Sequence, residues 1–226
     1  MTKQATAILI FANSAQAEAS YKPFSKNSKL FSELNKDTLE KVKKSGLPYF
    51  HFSEKEQIGD TFGERYINAI KAVYNSGFEN VITIGNDTPL LQTSHIAEAA
   101  ENLRKNPLVL GPSRDGGYYL MGLNIAYFEP ESFLKLPWQT GNLRSALCQL
   151  LLKKNAQIIF LETLVDIDSI ADVELLKNSF RKIRQRIFKI LVQLLTFNKR
   201  KIYFKNFLVE KIISKTYFNK GSPSLA

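Results

Sequence analysis

The chain has 226 residues, 44% of them hydrophobic and 23% charged, which is typical of a globular protein and excludes a disordered one. Its single cysteine excludes an intramolecular disulfide and a cysteine-based zinc site, and favours a reducing, cytoplasmic location. The net charge of +10 lies in one segment, because residues 177–226 carry 13 Lys and Arg against one acidic side chain, while the remainder is slightly acidic.

Apolar runs of strand length alternate with segments of helical spacing along residues 6–178. The first run, TAILIFA, is almost continuously apolar, as expected for a strand buried on both faces. This alternation predicts an α/β fold of three layers, in which helices cover a mostly parallel central sheet. The predicted strands span 6–12, 49–53, 81–85, 108–111, 118–123 and 157–161, and the predicted helices span 24–45, 62–76, 93–104, 142–154 and 169–178.

A polar turn, GNDTP at residues 85–89, follows the predicted third strand. In an open parallel sheet, ligands bind beyond the carboxyl ends of the strands, so Asp87 is expected to face the binding crevice. Carboxylate oxygens are hard ligands that suit Mg²⁺ or Mn²⁺ bridging a diphosphate. The alternative interpretation is an Asx-turn that only ends the strand.

A second motif, GPSRDGGYY at residues 111–119, follows the predicted fourth strand. Its paired glycines, Gly116 and Gly117, allow the backbone to approach a ligand closely, and Asp115 adds a carboxylate beside them. A hairpin turn between two strands is the alternative, because Asp-Gly is a strong hairpin signal.

A third motif, VDIDS at residues 165–169, places Asp166 and Asp168 two residues apart. Side chains at this spacing lie on the same side of an extended chain, where they could hold a cation or position a base. Capping of the next helix is the alternative for one of the two carboxylates. Ser169 and Asp172 stand at capping-box spacing.

The order and spacing of five segments resemble the bacterial DUF2064 family. Its members are described as glycosyltransferase-like, and one branch consists of the arsenosugar-biosynthesis glycosyltransferases. The resemblance covers residues 6–176 and implies the GT-A fold, that of nucleotide-diphospho-sugar transferases, which molybdenum-cofactor guanylyltransferases share. The segments that carry it are 59–65, 84–90, 110–123, 137–140 and 166–168.

Site roles follow from this resemblance, position by position. It implies Asp87, Asp115 and Asp168 as catalytic residues, with Mg²⁺ or Mn²⁺ bound by Asp87 and by Asp168, or Asp166 in its stead. Asp115 and the glycines after it would border the acceptor or the sugar. The residues expected to contact substrates are Asn13, Lys22, Gly63, Arg65, Asn86, Gly116, Gly117 and Trp138; packing in the core is the alternative for Trp138.

The segment after the first predicted strand departs from the family pattern. The family has a loop with Pro and Gly and a Lys-Thr-Arg-Leu signature there, whose backbone N–H groups and cations would hold a diphosphate. Residues 13–24 contain no glycine, and although Lys22 stands near the expected Lys, the Arg is missing. Donor binding at this point is therefore expected to differ from that of the family.

The basic C-terminal segment, residues 177–226, is predicted to be an extension of a transferase domain at 1–176. Apolar residues recur at helical spacing from Phe180 to Phe197, with cationic residues largely opposite them, so the segment predicts an amphipathic helix. This helix could pack on the transferase domain, or residues 180–220 could lie on the anionic inner face of a membrane. Nucleic acid is the least favoured partner, because no recognition motif accompanies the charge.

These features favour a metal-dependent transferase that moves a glycosyl group from a nucleotide sugar to a small or lipid-linked acceptor. Nucleotidyl transfer on the same fold, with a nucleoside triphosphate as donor, is one alternative. The other is a catalytically weakened protein that serves as a binding or scaffold module at a membrane surface, which the altered first loop would favour.

Overall fold

The computed structural model describes residues 5–22 and 28–198. A six-stranded sheet with the order β2-β1-β3-β5-β4-β6 forms its centre, and all strands are parallel except β5. The α/β class and the mostly parallel sheet predicted from the sequence are thus confirmed. The strands are β1 (Thr6–Phe11), β2 (Tyr49–Phe52), β3 (Asn80–Ile84), β4 (Leu108–Pro112), β5 (Tyr118–Asn124) and β6 (Ile158–Phe160).

Each predicted helix has a counterpart among the described residues, and two helices, α1 and α5, were not predicted. Residues 24–27, at the start of one predicted helix, lie outside the described part of the chain. The helices are α1 (Ala15–Tyr21), α2 (Lys29–Lys44), α3 (Phe62–Asn75), α4 (Thr93–Asn102), α5 (Pro130–Leu134), α6 (Leu143–Leu152), α7 (Ile170–Leu175) and α8 (185–198), with 3₁₀ turns at Ile125–Tyr127 and Lys177–Lys182.

Alternation along β1 shows how the sheet forms the middle of three layers. Leu9 points to the face covered by α3, α5 and α6, whereas Ile8 and Ile10 point to the face covered by α2 and α4. All three side chains are buried. Because both faces are covered, β1 has the continuous apolar run that its sequence shows.

Strand β5 runs against its neighbours because a tight connection, residues 113–117, returns the chain beside β4. Gly116 has φ +94°, and a Cβ atom there would lie 2.1 Å from the carbonyl oxygen of Gly141, so only glycine suits this position. The hairpin interpretation of the DGG motif is therefore the one that the structure shows.

The basic helix α8 packs on the body. Its apolar stripe of Ile187, Leu191 and Leu195 is buried against α2 and the segment that follows β6. Of the two predicted arrangements, residues 180–198 adopt the one in which the stripe faces the protein. Within the two described ranges, no helix is both long and apolar enough to cross a membrane. The rest of the predicted 180–220 membrane segment, from residue 199, lies outside the described residues.

Candidate functional site

A cleft of about 990 Å³ opens at the carboxyl ends of β1 and β3. This volume falls at the upper end of the range typical of sites for small organic ligands. Its polar lining comes from the segments after β1 and β3, from the end of α1 and from residue 168. The charged and amide residues of the lining are Asn13, Glu18, Lys22, Glu54, Gln57, Arg65, Asn86, Asp87, Gln139 and Asp168.

Helix α1 stands where the family resemblance leads one to expect a glycine-containing loop. Ser14 caps it, since its hydroxyl accepts a hydrogen bond from the backbone N–H of Ala17. Glu54, from the segment after β2, accepts bonds from the Ser14 backbone N–H at 2.6 Å and its hydroxyl at 2.7 Å. The helix ends with Lys22, whose side chain is thereby directed into the cleft.

The ammonium group of Lys22 joins three carboxylates. Nζ lies 2.6 Å from Oδ2 of Asp87, 2.8 Å from Oδ1 of Asp168 and 3.2 Å from Oε1 of Glu18. It also donates to the backbone carbonyl of Ile167 at 3.1 Å. The structure thus brings together Asp87 and Asp168, as the sequence predicted, and adds Lys22 between them.

The surroundings of Lys22 keep it charged. Burial, the largest influence, would by itself lower the pKa of its ammonium group, but the carboxylates of Asp87, Asp168 and Glu18 together raise that pKa well above its usual value. The side chain of Lys22 is 14% exposed, whereas that of Asp168 is 52% exposed. The cluster is therefore a permanent ion group with one side open to the cleft.

This arrangement does not fit the Mg²⁺ or Mn²⁺ ion predicted between Asp87 and Asp168. The ammonium nitrogen of Lys22 fills the position between the two carboxylates that such an ion would take. The three carboxylates that converge here, those of Glu18, Asp87 and Asp168, are all engaged with this ammonium group.

Amide side chains connect this ion group to α2. Asn13 donates from Nδ2 to Oε2 of Glu18 at 3.0 Å, and its backbone carbonyl accepts from Asn35. Asn86 donates to Oδ1 of the same Asn35 at 2.5 Å. Asn13 and Asn86 were predicted to bind substrate, and in this structure both line the cleft and position their neighbours.

Asp166 lies beside the cleft lining in a different environment. Its two carboxylate oxygens accept hydrogen bonds from the hydroxyls of Thr88 and Ser113, both at 2.5 Å. Burial, and then the nearby charge of Asp87, raise the pKa of Asp166 to about 7, against the opposing effect of the two hydroxyls. Neither Asp166 nor Asp168 caps α7, because Ser169 and Asp172 form the predicted capping box.

Aromatic side chains form another part of the cleft lining, called here the aromatic wall. The ring of Tyr66 lies 5.1 Å from that of Phe11 and 5.1 Å from that of Trp138, centroid to centroid. Trp138 donates its indole N–H to the carbonyl of Phe133 at 3.0 Å. Phe62 stacks on Tyr66 at 5.8 Å, and it lines the cleft with the other three rings. The wall combines both interpretations of Trp138, since the indole packs on its neighbours and also borders the cleft.

Gly63 and Arg65, both predicted to contact substrates, have different positions relative to the cleft. Arg65 lines the cleft and donates to the backbone carbonyl of Asp60 at 3.0 Å. Gly63, in the first turn of α3, lies against the indole of Trp138, and a Cβ atom there would come within 2.6 Å of the ring. The glycine therefore provides room for the aromatic wall.

The DGG turn does not contribute to the lining of this cleft. Asp115 is exposed and accepts a hydrogen bond from the backbone N–H of Gly117 at 2.9 Å, within its own turn. The carbonyl of Gly116 accepts from the backbone N–H of Arg144, at the start of α6. Asp115, Gly116 and Gly117 are therefore next to the cleft rather than in its lining, since Tyr118 and Tyr119, which follow them, do line it.

Sequence reasoning missed Glu18, Asn35 and Glu54 as parts of the site. A signal existed for the first of these, because Ser14 is a good N-cap and Glu18 precedes Lys22 at the i,i+4 spacing that favours an ion pair on a helix. No local pattern marks Asn35 or Glu54, which reach the site only through the packing of α2 and of the segment after β2.

Comparison with known proteins adds a family and a fold. The model of a family described as an uncharacterized protein conserved in bacteria (DUF2064) matches residues 27–140, just over half of the chain. No curated protein matches the chain. A candidate nucleotide-diphospho-sugar transferase from Desulfovibrio desulfuricans G20 is similar in structure, with a TM-score of 0.74 at 19% identity over 84% of this chain and 96% of that chain.

A second solved structure is more distant. The 4-diphosphocytidyl-2C-methyl-D-erythritol synthase from Anaerococcus prevotii DSM 20548 has a TM-score of 0.50 at 12% identity, over 79% of this chain and 97% of that chain. At such identities a structural likeness establishes the fold alone. The fold is that of the nucleotide-diphospho-sugar transferases.

Proposed function

Because the chain belongs to the DUF2064 family and has this fold, we propose that it is a transferase that takes its transferred group from a nucleotide-activated donor. The group proposed is a glycosyl group from a nucleotide sugar, and the acceptor is a small or lipid-linked molecule that carries a hydroxyl. The observation that supports this most is the cleft itself, which is lined both by an ion group and by an aromatic wall.

The aromatic wall suits the rings of such a donor. Flat apolar faces, like those of Phe62 and Trp138, favour contact with a nucleobase or with the apolar face of a sugar. These side chains are partly buried, and each is fixed by its neighbours. A ring that enters the cleft would therefore meet a surface that is already ordered, which lowers the entropic cost of binding.

The ion group suits the charged part of the reaction. Arg65 is the cation of the cleft lining that lies outside the ion group, and a diphosphate would be oriented towards it. Asp168 is half exposed, so its carboxylate is the one best placed to accept the proton of an acceptor hydroxyl. In that step the acceptor oxygen bonds to the anomeric carbon, and the bond from this carbon to the phosphate oxygen breaks. The nucleoside diphosphate leaves with the electron pair.

The metal ion predicted from the sequence is not part of this proposal, since Lys22 fills its position. Asp87 has a supporting role instead, because its Oδ2 holds the ammonium group of Lys22 at 2.6 Å. Asp87 also connects two segments, for its backbone carbonyl accepts from the N–H of Ile167 at 2.9 Å.

A thermal-shift screen of nucleotide sugars and nucleoside triphosphates tests the proposal. At a ligand concentration of about 100 times Kd, one nucleotide sugar should raise the melting temperature by roughly 5 °C. Asp87→Asn should abolish this shift, because Lys22 loses the partner that positions it. Asp60→Asn is the matched control, since Asp60 is exposed and outside the cleft lining.

Two results would count against the proposal. If no nucleotide sugar stabilises the folded wild type, the proposed donor class is wrong. If only nucleoside triphosphates do so, the same cleft serves nucleotidyl transfer and the glycosyl step is wrong.

A further inference from the structure

We infer that the ammonium group of Lys22 takes the place of a divalent cation at the carboxylate pair of Asp87 and Asp168. The inference deepens the proposed function and rests on it for one consequence, namely that a nucleotide donor binds without a metal ion. The occupancy of the carboxylate pair by Lys22 can be measured with no nucleotide present.

The need for a cation follows from the convergence of the acidic groups. Oxygens of Asp87, Asp168 and Glu18 all lie within 3.2 Å of one point, the Nζ atom of Lys22. Carboxylates this close repel one another strongly in a partly buried site, so a positive charge at their shared position stabilises them.

The chain supplies this charge from the side chain of Lys22. Lys22 is the C-cap residue of α1, and its backbone N–H donates to the carbonyl of Glu18, which fixes the start of the side chain. Its ammonium group has three N–H donors and four oxygens in reach, namely three carboxylate oxygens and the carbonyl of Ile167. Its three donors can therefore all be satisfied by oxygens of the protein.

Charge and burial keep the ammonium group of Lys22 in the place of a divalent cation. The side chain of Lys22 is only 14% exposed, and the surrounding carboxylates keep it protonated at physiological pH. A divalent ion that approached from solvent would first have to displace an ammonium group that is covalently tethered beside the carboxylates. Mg²⁺ and Mn²⁺ in free solution are thus excluded from the pair.

A second lysine of similar burial provides an internal comparison. The side chain of Lys41 is 15% exposed, its Nζ lies 2.5 Å from Oδ2 of Asp37 on the same helix, and it does not line the cleft. It contacts one carboxylate where Lys22 contacts three. Loss of the ammonium group should therefore create a strong cation site at residue 22 and none at residue 41.

Titration with Mn²⁺, followed by electron paramagnetic resonance of the free ion, tests the inference. The wild-type chain should show no site tighter than about 1 mM, and Lys22→Met should gain one site at least roughly tenfold tighter. The double variant Lys22→Met with Asp87→Asn should lose that site again. Lys41→Met should behave like the wild type.

The opposite pattern would overturn the inference. A wild-type site for Mn²⁺ that Asp87→Asn weakens would show that a metal ion, and not Lys22, serves the carboxylate pair. A folded Lys22→Met variant that binds no Mn²⁺ would also overturn the inference. If circular dichroism shows that Lys22→Met does not fold, Lys22→Gln is titrated in its place. Failure of the proposed function appears only in the nucleotide screen and leaves these titrations unaffected.

Discussion

Asp166 and Asp168 stand two residues apart on one extended segment, yet they have opposite surroundings. Asp168 is half exposed and lies 2.8 Å from the ammonium nitrogen of Lys22. Asp166 is largely buried and accepts hydrogen bonds from two hydroxyls, those of Thr88 and Ser113. A sequence pattern that makes the two carboxylates equivalent therefore yields one member of an ion group and one hydrogen-bonded anchor.

The surroundings of Asp166 explain its charge state. Burial with neutral donors leaves much of the desolvation cost of an ionised carboxylate uncompensated. For this reason the pKa of Asp166 rises to about 7. The comparison teaches that Asp168 belongs to the chemistry of the cleft, while Asp166 ties the ends of β3 and β4 to the segment after β6.

The largest effect is expected from removal of the cation that Asp168 shares. Lys22→Met leaves three carboxylates facing one another, and it should lower the free energy of unfolding by about 3–5 kcal/mol. Urea unfolding followed by circular dichroism measures this change. Lys41→Met should cost less, because Asp37 keeps Arg184 as a second cation at 3.5 Å. Equal losses in the two variants would contradict the special role of the Lys22 cluster.

The contribution of Asp166 to the free energy of unfolding should depend on pH. Its pKa is raised to about 7 from the ordinary 3.8, so the folded state binds a proton more tightly than the unfolded state does. The resulting stability is complete below about pH 4 and is lost as the pH rises through 7, with a change on the order of 2 kcal/mol between pH 5 and pH 7.

Asp166→Asn provides the comparison for this second prediction. The difference between wild type and variant in urea unfolding, measured from pH 5 to pH 8, isolates the contribution of Asp166 from that of other groups. A difference that is constant with pH would show that Asp166 has an ordinary pKa in the folded protein.

The smallest effect is expected from Asp168→Asn. A half-exposed ion pair contributes at most about 1 kcal/mol, and the Asn side chain can still accept a hydrogen bond from Lys22. The variant should unfold in urea close to the wild type at every pH from 5 to 8. A loss of unfolding free energy as large as that of Lys22→Met would contradict the difference drawn between Asp168 and Asp166.

The fold was largely predictable because its signals are local. Buried strands such as β1 and β3 show as short apolar runs, and α3 begins at the capping box of Thr61 and Glu64 and ends before Gly77. Helix α1 escaped prediction because its residues are small and polar, and because the segment resembled an altered phosphate loop. Helix α5, with five residues, is too short to show a periodic pattern.

The site was predictable only in part, because it depends on which loops meet. The exits of β3 and β6 could be placed at one edge of the sheet, so Asp87 and Asp168 were expected to lie close together. The position of Lys22 between them depends on a helix that only the fold reveals. The turn with Asp115 was assigned to the site from resemblance; it follows β4 at the same edge of the sheet, and Tyr118 and Tyr119 directly after it line the cleft, whereas Asp115 itself does not.

The glycine in the first turn of α3 has a consequence for selectivity. The indole of Trp138 rests against Gly63 on one edge and is bonded to the carbonyl of Phe133 on another, so it has no room to swing. The position of this ring in the cleft, and with it the space left for a ligand, is thus fixed by the protein. Molecules would be sorted by their length and width on entry, before any bond is made or broken.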